Sequence, residues 1–170
     1  MFYLFIWLTA LAAGGLNVWN RRRDLSRADA ALVLLFYQIL LGYGFYGLFG
    51  FVAQSILPEK TASGIGWAAS PRFQWELGAF ELGWGIAALL CAFIRNRYYW
   101  LGVAIPPTIM LPVASAGMIW DQVAKGVPPL QVLGLNLPDF GVPLTVAVLL
   151  WLHFRWSREE ERAEDPTGVG

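Results

Sequence analysis

Two glutamates and several amides stand inside apolar stretches of the chain, where ionisable and polar side chains are unusual. Such a residue is costly in a membrane unless it is paired, and it indicates a functional site by default. Buried carboxyl groups suit the binding of a proton or of a small polar molecule. The sequence predicts a pocket or polar core formed by Gln74, Glu76, Glu81, Gln38 and Arg72.

The two glutamates allow different interpretations. Glu76 lies four residues after Arg72, a spacing that permits an ion pair within one helix, so the alternative to a functional role is a clamp that anchors the outer loop. No basic residue of another apolar stretch matches the depth of Glu81. We expect Glu81 either to be protonated, because burial disfavours the charged form, or to bond to Gln38, Gln54 or a hydroxyl group.

Other chemistry has little support in the sequence. A single cysteine, Cys91, excludes an intrachain disulfide and a cysteine-based zinc site, and a single histidine excludes bis-histidine haem ligation. We expect that histidine, His153, to be an interfacial side chain. The net charge is +0, which disfavours nucleic-acid binding. Asp121, Asp139 and Glu76 could form an outer acidic patch, but no metal, nucleotide or hydrolase motif occurs. We therefore predict no metal site, and the sequence does not indicate a cofactor. A protein without enzyme activity is favoured over an enzyme.

These residues belong to five long apolar stretches, in a chain that is 57% hydrophobic. A bilayer core about 30 Å thick needs about 20 apolar residues of helix. The stretches lack the short alternating segments of membrane β-barrels. The sequence predicts an all-α integral membrane bundle, a single domain over 1–156, with a charged cytoplasmic tail over 157–170. The predicted transmembrane helices are 2–19, 30–57, 73–94, 98–120 and 140–156.

The basic residues predict the orientation of this bundle. With five crossings, nine lysines and arginines lie on one side and three on the other. Because basic residues accumulate on the cytoplasmic side, the N-terminus is expected outside and the C-terminus inside. The first stretch is expected to be a retained helix and not a cleaved signal, since its arginines follow the apolar run.

Small residues predict where the helices pack, because membrane helices approach closely through glycine and alanine. The candidate packing glycines are Gly42, Gly44, Gly47, Gly50, Gly78, Gly83 and Gly85. For the glycines of the second predicted helix, the alternative to a contact with another helix is a groove that binds a flat or acyl ligand. The third carries two polar and small-residue stripes. The Glu76 face consists of Glu76, Ala79, Phe80, Gly83 and Ala87. The Glu81 face consists of Gln74, Gly78, Glu81, Gly85 and Ala88. We expect both faces to be packed, which would make this helix the centre of the bundle.

The last two predicted helices contain prolines. Pro106, Pro107 and Pro112 predict a kink or break, with Thr108 and Ser115 available to satisfy the freed carbonyl groups. Broken helices often mark transporter substrate sites, whereas an inert kink is the alternative. We expect 127–138 to lie on the outer surface or to fold partly back into it. Asp139 is then expected to cap the final helix, which has Pro143 in its first turn.

A group of residues carries a family resemblance: Gly66-Trp67, Ser70-Pro71, Phe73-Gln74, Glu76-Leu77-Gly78, Gly85, and the later Asp139 and Pro143. It resembles the signature of a family of small bacterial multi-pass membrane proteins known only as a domain of unknown function. The resemblance implies a shared helical fold and draws attention to Gln74 and Glu76. Glu81 departs from the pattern, where an amide is usual, which argues against a catalytic role for Glu81. The family resemblance also implies a location in the bacterial cytoplasmic membrane.

Two functions remain open from the sequence. The first is a structural or accessory subunit that packs into a larger membrane assembly, with a membrane-protein partner or a second copy of the chain and the lipid bilayer as surroundings. The second is a small-molecule or proton-handling bundle with a polar pocket centred on the third helix. A membrane enzyme acting on a lipid or quinone has less support.

Overall fold

The fold is a bundle of helices, seen in a computed structural model that describes residues 2–64, 68 and 70–164. Every element within these ranges is helical. In chain order they are α1 (Phe2–Asn20), α2 (Arg27–Tyr37), a π-helical segment (Gln38–Phe45), α3 (Tyr46–Ile56), α4 (Pro58–Gly64), α5 (Pro71–Leu90), α6 (Arg97–Ala124) and α7 (Pro129–Glu164).

The bundle has the surface of a membrane protein. Large apolar side chains point outward, among them Phe5, Ile109 and Leu144, which are 69%, 61% and 66% exposed. Within the described ranges, four helices are long and apolar enough to cross a membrane: Phe2–Asn20, Arg27–Ile56, Arg97–Ala124 and Asn136–Ala163. The 20-residue α5 carries Arg72, Glu76 and Glu81 and is not among these four. The prediction of an all-α membrane bundle is thus confirmed at the level of its class.

The helix that runs over Arg27–Ile56 changes its winding in the middle, which the sequence did not predict. Its central residues, Gln38–Phe45, form π turns, which are wider than α turns. Gly42 and Gly44 lie in this segment, and Tyr43 is fully buried there. The Tyr43 hydroxyl lies 2.7 Å from Oγ1 of Thr108, so the π segment is joined to α6 at this point.

The proline-rich helix α6 is continuous, unlike the break that was one expectation. It runs as helix through Pro106, Pro107 and Pro112. A proline removes one amide donor and crowds the preceding turn, a local defect that neighbouring helices can accommodate in a membrane bundle. Thr108 and Ser115 bond to side chains of other helices, Tyr43 and Asp139 respectively.

The last helix begins earlier than expected. Because α7 starts at Pro129, the segment expected on the outer surface is the first part of this helix. Pro138 and Pro143 both lie within it, and Asp139 is an interior residue and not a cap. The helix continues to Glu164, so the described part of the predicted charged tail is helical.

The two faces of α5 differ in their surroundings. The Glu81 face is buried, with α3 and the π segment as its main neighbours. The Glu76 face is open, and its Glu76 side chain is 67% exposed. Within the described residues this face meets α6 at Ala87, whose carbonyl oxygen accepts a hydrogen bond from the Tyr99 hydroxyl at 3.0 Å. The expectation that both faces are packed is therefore not met for the rest of the Glu76 face, where Glu76, Ala79, Phe80 and Gly83 are exposed. The main apolar core lies instead among the π segment, α6 and α7, around Ile39, Tyr43, Leu111, Val142 and Val146.

Candidate functional site

A cavity of about 290 Å³ lies among α1, α3, α4, α5, α6 and α7. We call it the acid cavity, because two carboxylic acids from different helices line it. Its polar lining consists of Tyr3, Tyr46, Gln54, Thr61, Glu81, Gln122, Asn136 and Asp139. Its apolar lining includes Phe2, Leu77, Met110, Leu111 and Met118.

Asp139 is held by hydroxyl groups from two neighbouring helices. The residue is 5% exposed. The Tyr46 hydroxyl of α3 donates a hydrogen bond to Asp139 Oδ1, and the Ser115 hydroxyl of α6 donates to Oδ2. Hydrogen bonds to both oxygen atoms compensate in part for the loss of water on burial. They also fix the orientation of the carboxyl group at the wall of the cavity.

Glu81 is equally buried, at 5% exposure, but lacks such compensation. Its carboxyl group lies over Gly50, where an added Cβ atom would stand 2.5 Å from Oε2. Over residues 2–64, 68 and 70–164, neither Glu81 Oε2 nor Gln54 Oε1 has a hydrogen-bond partner, although both are buried. Both atoms are acceptors, and a buried acceptor without a partner is costly. The cavity wall therefore favours a hydrogen-bond donor.

Two amides connect α6 to α7 beside the acids. Asn136 Nδ2 donates to Gln122 Oε1 at 2.9 Å and to the Val132 carbonyl oxygen at 2.7 Å. Gln122 and Asn136 are 3% and 2% exposed. Both side chains are uncharged amides, so they supply no positive charge to balance the acids.

Aromatic rings form part of the wall. Tyr3 and Tyr46 are stacked with their ring centroids 4.1 Å apart, and Phe2 lines the cavity beside them. Aromatic faces attract cations electrostatically. No lysine, arginine or histidine occurs among the described residues that line the cavity, so its charged groups all have one sign.

The structure separates the five residues of the predicted polar core. Only Glu81 lines the acid cavity. Gln38 and Gln74 are buried, at 1% and 0% exposure, at other positions in the interior. Arg72 Nε donates to Glu76 Oε1 at 3.3 Å, in an ion pair whose side chains are 93% and 67% exposed. This pair has the geometry of the intrahelical clamp given above as the alternative for Glu76.

The candidate packing glycines occupy several environments. Gly47 lies against the Trp84 indole ring, and Gly50 lies against the Glu81 carboxyl group. A Cβ atom on Gly85 would stand 3.0 Å from the Gly44 carbonyl oxygen, so two backbones approach closely here. Of the other four, three have a side chain as a close neighbour, namely Leu89 for Gly44, Val142 for Gly42 and Ser55 for Gly78. Nothing lies within 4 Å of a Cβ atom on the fourth, Gly83.

Sequence reasoning missed most of the cavity. Asp139 was expected to cap a helix or to join an outer acidic patch, and Tyr46 was expected only in the wall of the alternative groove on the second predicted helix. No role was predicted for Tyr3, Gln122 or Asn136. The available signal was the apolar segment before Asp139. If that segment is helical, Asn136 and Asp139 are three residues apart on one face, because a helix turns once in about 3.6 residues.

The lone histidine and cysteine lie away from the cavity, and both are buried. His153 is 5% exposed, with Nδ1 3.0 Å from the Ala28 carbonyl oxygen, so it connects α7 to α2 within the protein. Cys91 follows α5 and has Sγ 3.8 Å from the Ala87 carbonyl oxygen. Gly66 and Trp67, two residues of the family signature, lie outside the described residues.

Comparison with known proteins supports the resemblance inferred from the sequence. No curated protein and no solved structure matches the chain. A family model, described as a family of unknown function, matches residues 1–159. This range includes α1 to α6, most of α7 and every residue that lines the acid cavity. The chain therefore belongs to this family of unknown function, DUF6790.

Proposed function

We propose that this protein is a membrane bundle that binds a small organic cation in the acid cavity, in competition with protons. The observation that carries the proposal is that two buried acids from different helices, Glu81 and Asp139, line the same cavity. Each is 5% exposed, and both line one cavity without a basic side chain among its described lining residues.

The electrostatics of burial support a cationic ligand. A carboxylate in a low-dielectric interior needs a counter-charge or a proton. A proton on either acid and a cation between them satisfy the same requirement, so the two compete. Glu81 Oε2 and Gln54 Oε1 lack partners within the described ranges and can accept N–H groups of an ammonium ligand. Tyr3 and Tyr46 are the other titratable groups that line the cavity.

The size and walls of the cavity favour an organic ligand. Its volume of about 290 Å³ is near the lower end of typical ligand sites, which are about 300–1,000 Å³. Phe2 and the stacked Tyr3 and Tyr46 supply aromatic surface, and Met110 and Met118 supply adaptable apolar surface. In the part of the chain that the structure describes, no three histidine, cysteine or acidic side chains are grouped to hold a metal ion.

We infer that α5 is a fifth membrane crossing and that the protein lies in a bacterial cytoplasmic membrane. The N-terminus is then on the outer side of this membrane and the C-terminus on the cytoplasmic side. The 20 residues of α5 span about 30 Å as an α-helix. Only with this crossing are the basic residues divided nine to three between the two sides. Accessibility labels at the two termini test this topology. Five crossings put the labels on opposite sides, and finding both on one side contradicts the inference.

Calorimetric titration of the detergent-solubilised protein tests cation binding. The probe is benzylammonium, whose N–H groups can donate to the unpartnered acceptors, and benzenesulfonate is the anionic control. We expect the cation to bind and the anion not to bind. Affinity for the cation should rise with pH, because fewer protons then compete for the acids. The double variant Glu81→Gln/Asp139→Asn should bind the cation at least about tenfold more weakly, since it removes both charges. Equal binding of cation and anion, or an unchanged affinity in the variant, contradicts the proposal.

A second candidate function is the structural or accessory subunit, and one surface favours it. A groove of about 590 Å³ lies between α5 and α6 and includes four members of the Glu76 face. Ala79, Gly83, Ala87 and Gly102 give it a small-residue floor, and nothing lies within 4 Å of a Cβ atom on Gly83 or Gly102. Membrane helices associate through such surfaces.

Mild detergent extraction followed by native mass spectrometry separates the two candidates. The accessory-subunit function requires a co-purified protein or second copy that the double variant Gly83→Leu/Gly102→Leu releases. The cation-binding function requires a small bound molecule that this variant keeps and Glu81→Gln/Asp139→Asn loses.

A further inference from the structure

We propose that a second pocket, at the opposite end of α1 from the acid cavity, binds the phosphate group of an anionic phospholipid. The pocket has a volume of about 280 Å³. We call it the arginine pocket. The residues that carry the proposal are Asn17, Arg21, Phe36, Tyr37, Arg95 and Trp100. They come from the end of α1, from α2, and from the α5–α6 connection with the start of α6, so only the folded bundle brings them together.

The charge of this pocket suits a phosphate. No acidic residue is among its described lining residues. Arg21 and Arg95 are exposed, and neither forms an ion pair within residues 2–64, 68 and 70–164. A guanidinium group presents parallel N–H donors that match two phosphate oxygen atoms. Two such groups from separate segments of the chain, both lining one pocket, can neutralise a phosphodiester and hold its orientation.

Tyr37 and Asn17 add a third donor and a selective acceptor. Asn17 Nδ2 donates to the Tyr37 hydroxyl oxygen at 3.1 Å, which leaves the Tyr37 O–H to donate to a phosphate oxygen. Asn17 Oδ1 is buried and has no hydrogen-bond partner among the described residues. An acceptor in this place fits a hydroxyl or ammonium group of the headgroup. Glycerol and ethanolamine headgroups carry such donors, whereas choline carries none.

The position of the pocket favours a lipid over a soluble phosphate ester. Leu32, Val33 and Phe36 form an apolar wall that can take the glycerol backbone and the start of an acyl chain. Trp100 Nε1 donates to the Ile94 carbonyl oxygen at 2.7 Å, which fixes the connection beside Arg95. Basic pockets between transmembrane helices at the cytoplasmic face are known sites for anionic headgroups. The arginine pocket is on the basic side of the inferred topology, but its lipid binding is independent of the cation proposal.

Native mass spectrometry of the full chain with added lipid tests the assignment. The probes are phosphatidylglycerol, phosphatidylcholine and the soluble glycerol 3-phosphate. We expect phosphatidylglycerol to bind about tenfold more tightly than phosphatidylcholine, and Arg21→Ala/Arg95→Ala to remove that difference. The matched control is Arg22→Ala/Arg97→Ala, which removes the same charge from nearby arginines that stack on Trp19 and Tyr98 outside the pocket. The control should keep the preference.

Three outcomes overturn the proposal. An equal loss in the Arg22→Ala/Arg97→Ala control means that net charge alone attracts the lipid. Displacement of phosphatidylglycerol by an equal concentration of glycerol 3-phosphate means that the ligand is a soluble ester. An undiminished preference in Arg21→Ala/Arg95→Ala, or in Arg21→Lys/Arg95→Lys where the alanine variant does not fold, means that the guanidinium groups are not used. The lysine variant keeps the charge, so it serves if the alanine variant does not fold.

Asn17→Leu should lower the selectivity for glycerol over choline headgroups without abolishing lipid binding.

Discussion

The two faces of α5 have similar compositions and opposite surroundings. Each carries one glutamate together with small residues: one glycine and two alanines on the Glu76 face, and two glycines and one alanine on the Glu81 face. The Glu81 face is buried against α3 and the π segment, whereas Glu76 is 67% exposed and paired with Arg72. Small residues on a helix therefore do not by themselves determine that a neighbour will cover them. The difference comes from the partner, because Gly44, Gly47 and Gly50 occur at intervals of three residues on the opposing helix.

The largest effect on stability is expected from a methyl group added at the buried contact between α5 and its neighbours. In Gly47→Ala the new Cβ would collide with the Trp84 indole ring and the Glu81 carbonyl oxygen. We expect a loss of about 1–3 kcal/mol in stability, since overpacking displaces α5. Thermal unfolding in detergent measures the loss.

The control for this change is Gly83→Ala on the open face, where nothing lies within 4 Å of the new atom. It should leave stability unchanged or raise it slightly through helix propensity. Similar destabilisation by the two substitutions would contradict the assignment of a packed and an open face.

A second test compares the contributions of the two glutamates to cation binding. We expect Glu81→Gln to weaken benzylammonium binding by about tenfold or more, because it removes a buried charge that contacts the ligand. Glu76→Gln should change the affinity less than about twofold, since its exposed side chain lies outside the acid cavity. Calorimetric titration of both variants under one condition provides the measurement. Equal weakening would place the binding site elsewhere.

The smallest expected effect concerns the exposed ion pair. Arg72→Gln removes the partner of Glu76 in a pair whose side chains are 93% and 67% exposed. Pairs of this kind contribute about 0.3–0.5 kcal/mol in helices, so thermal stability should hardly change. A large loss would show that the pair anchors the outer segment, as the clamp interpretation requires.

The sequence predicted the helical membrane architecture because long apolar stretches and grouped charges are local features. It predicted Glu81 as a pocket residue for the same reason, since an acid in an apolar stretch stands out. It did not predict Asp139 as its companion in the acid cavity. Prolines at 138 and 143 obscured the fact that Asp139 lies inside α7, although prolines are tolerated within membrane helices.

The remaining features depend on contacts between distant residues. Tyr46 and Asp139 are far apart in the chain, and their hydrogen bond forms only after α3 and α7 are placed together. The π turns of Gln38–Phe45 likewise have no sequence pattern comparable to apolar periodicity. The same holds for the arginine pocket, whose two guanidinium groups belong to separate connections.

Infrared difference spectroscopy on cation binding tests the central claim most directly. If the cation replaces a proton between Glu81 and Asp139, adding benzylammonium at constant pH should remove the C=O stretching band of a protonated carboxyl group and produce a carboxylate band. Glu76→Gln should give the same difference spectrum, and Glu81→Gln/Asp139→Asn should give none. A difference spectrum without carboxyl bands in the unmodified protein, or one that persists in the double variant, would contradict cation binding by the two buried acids.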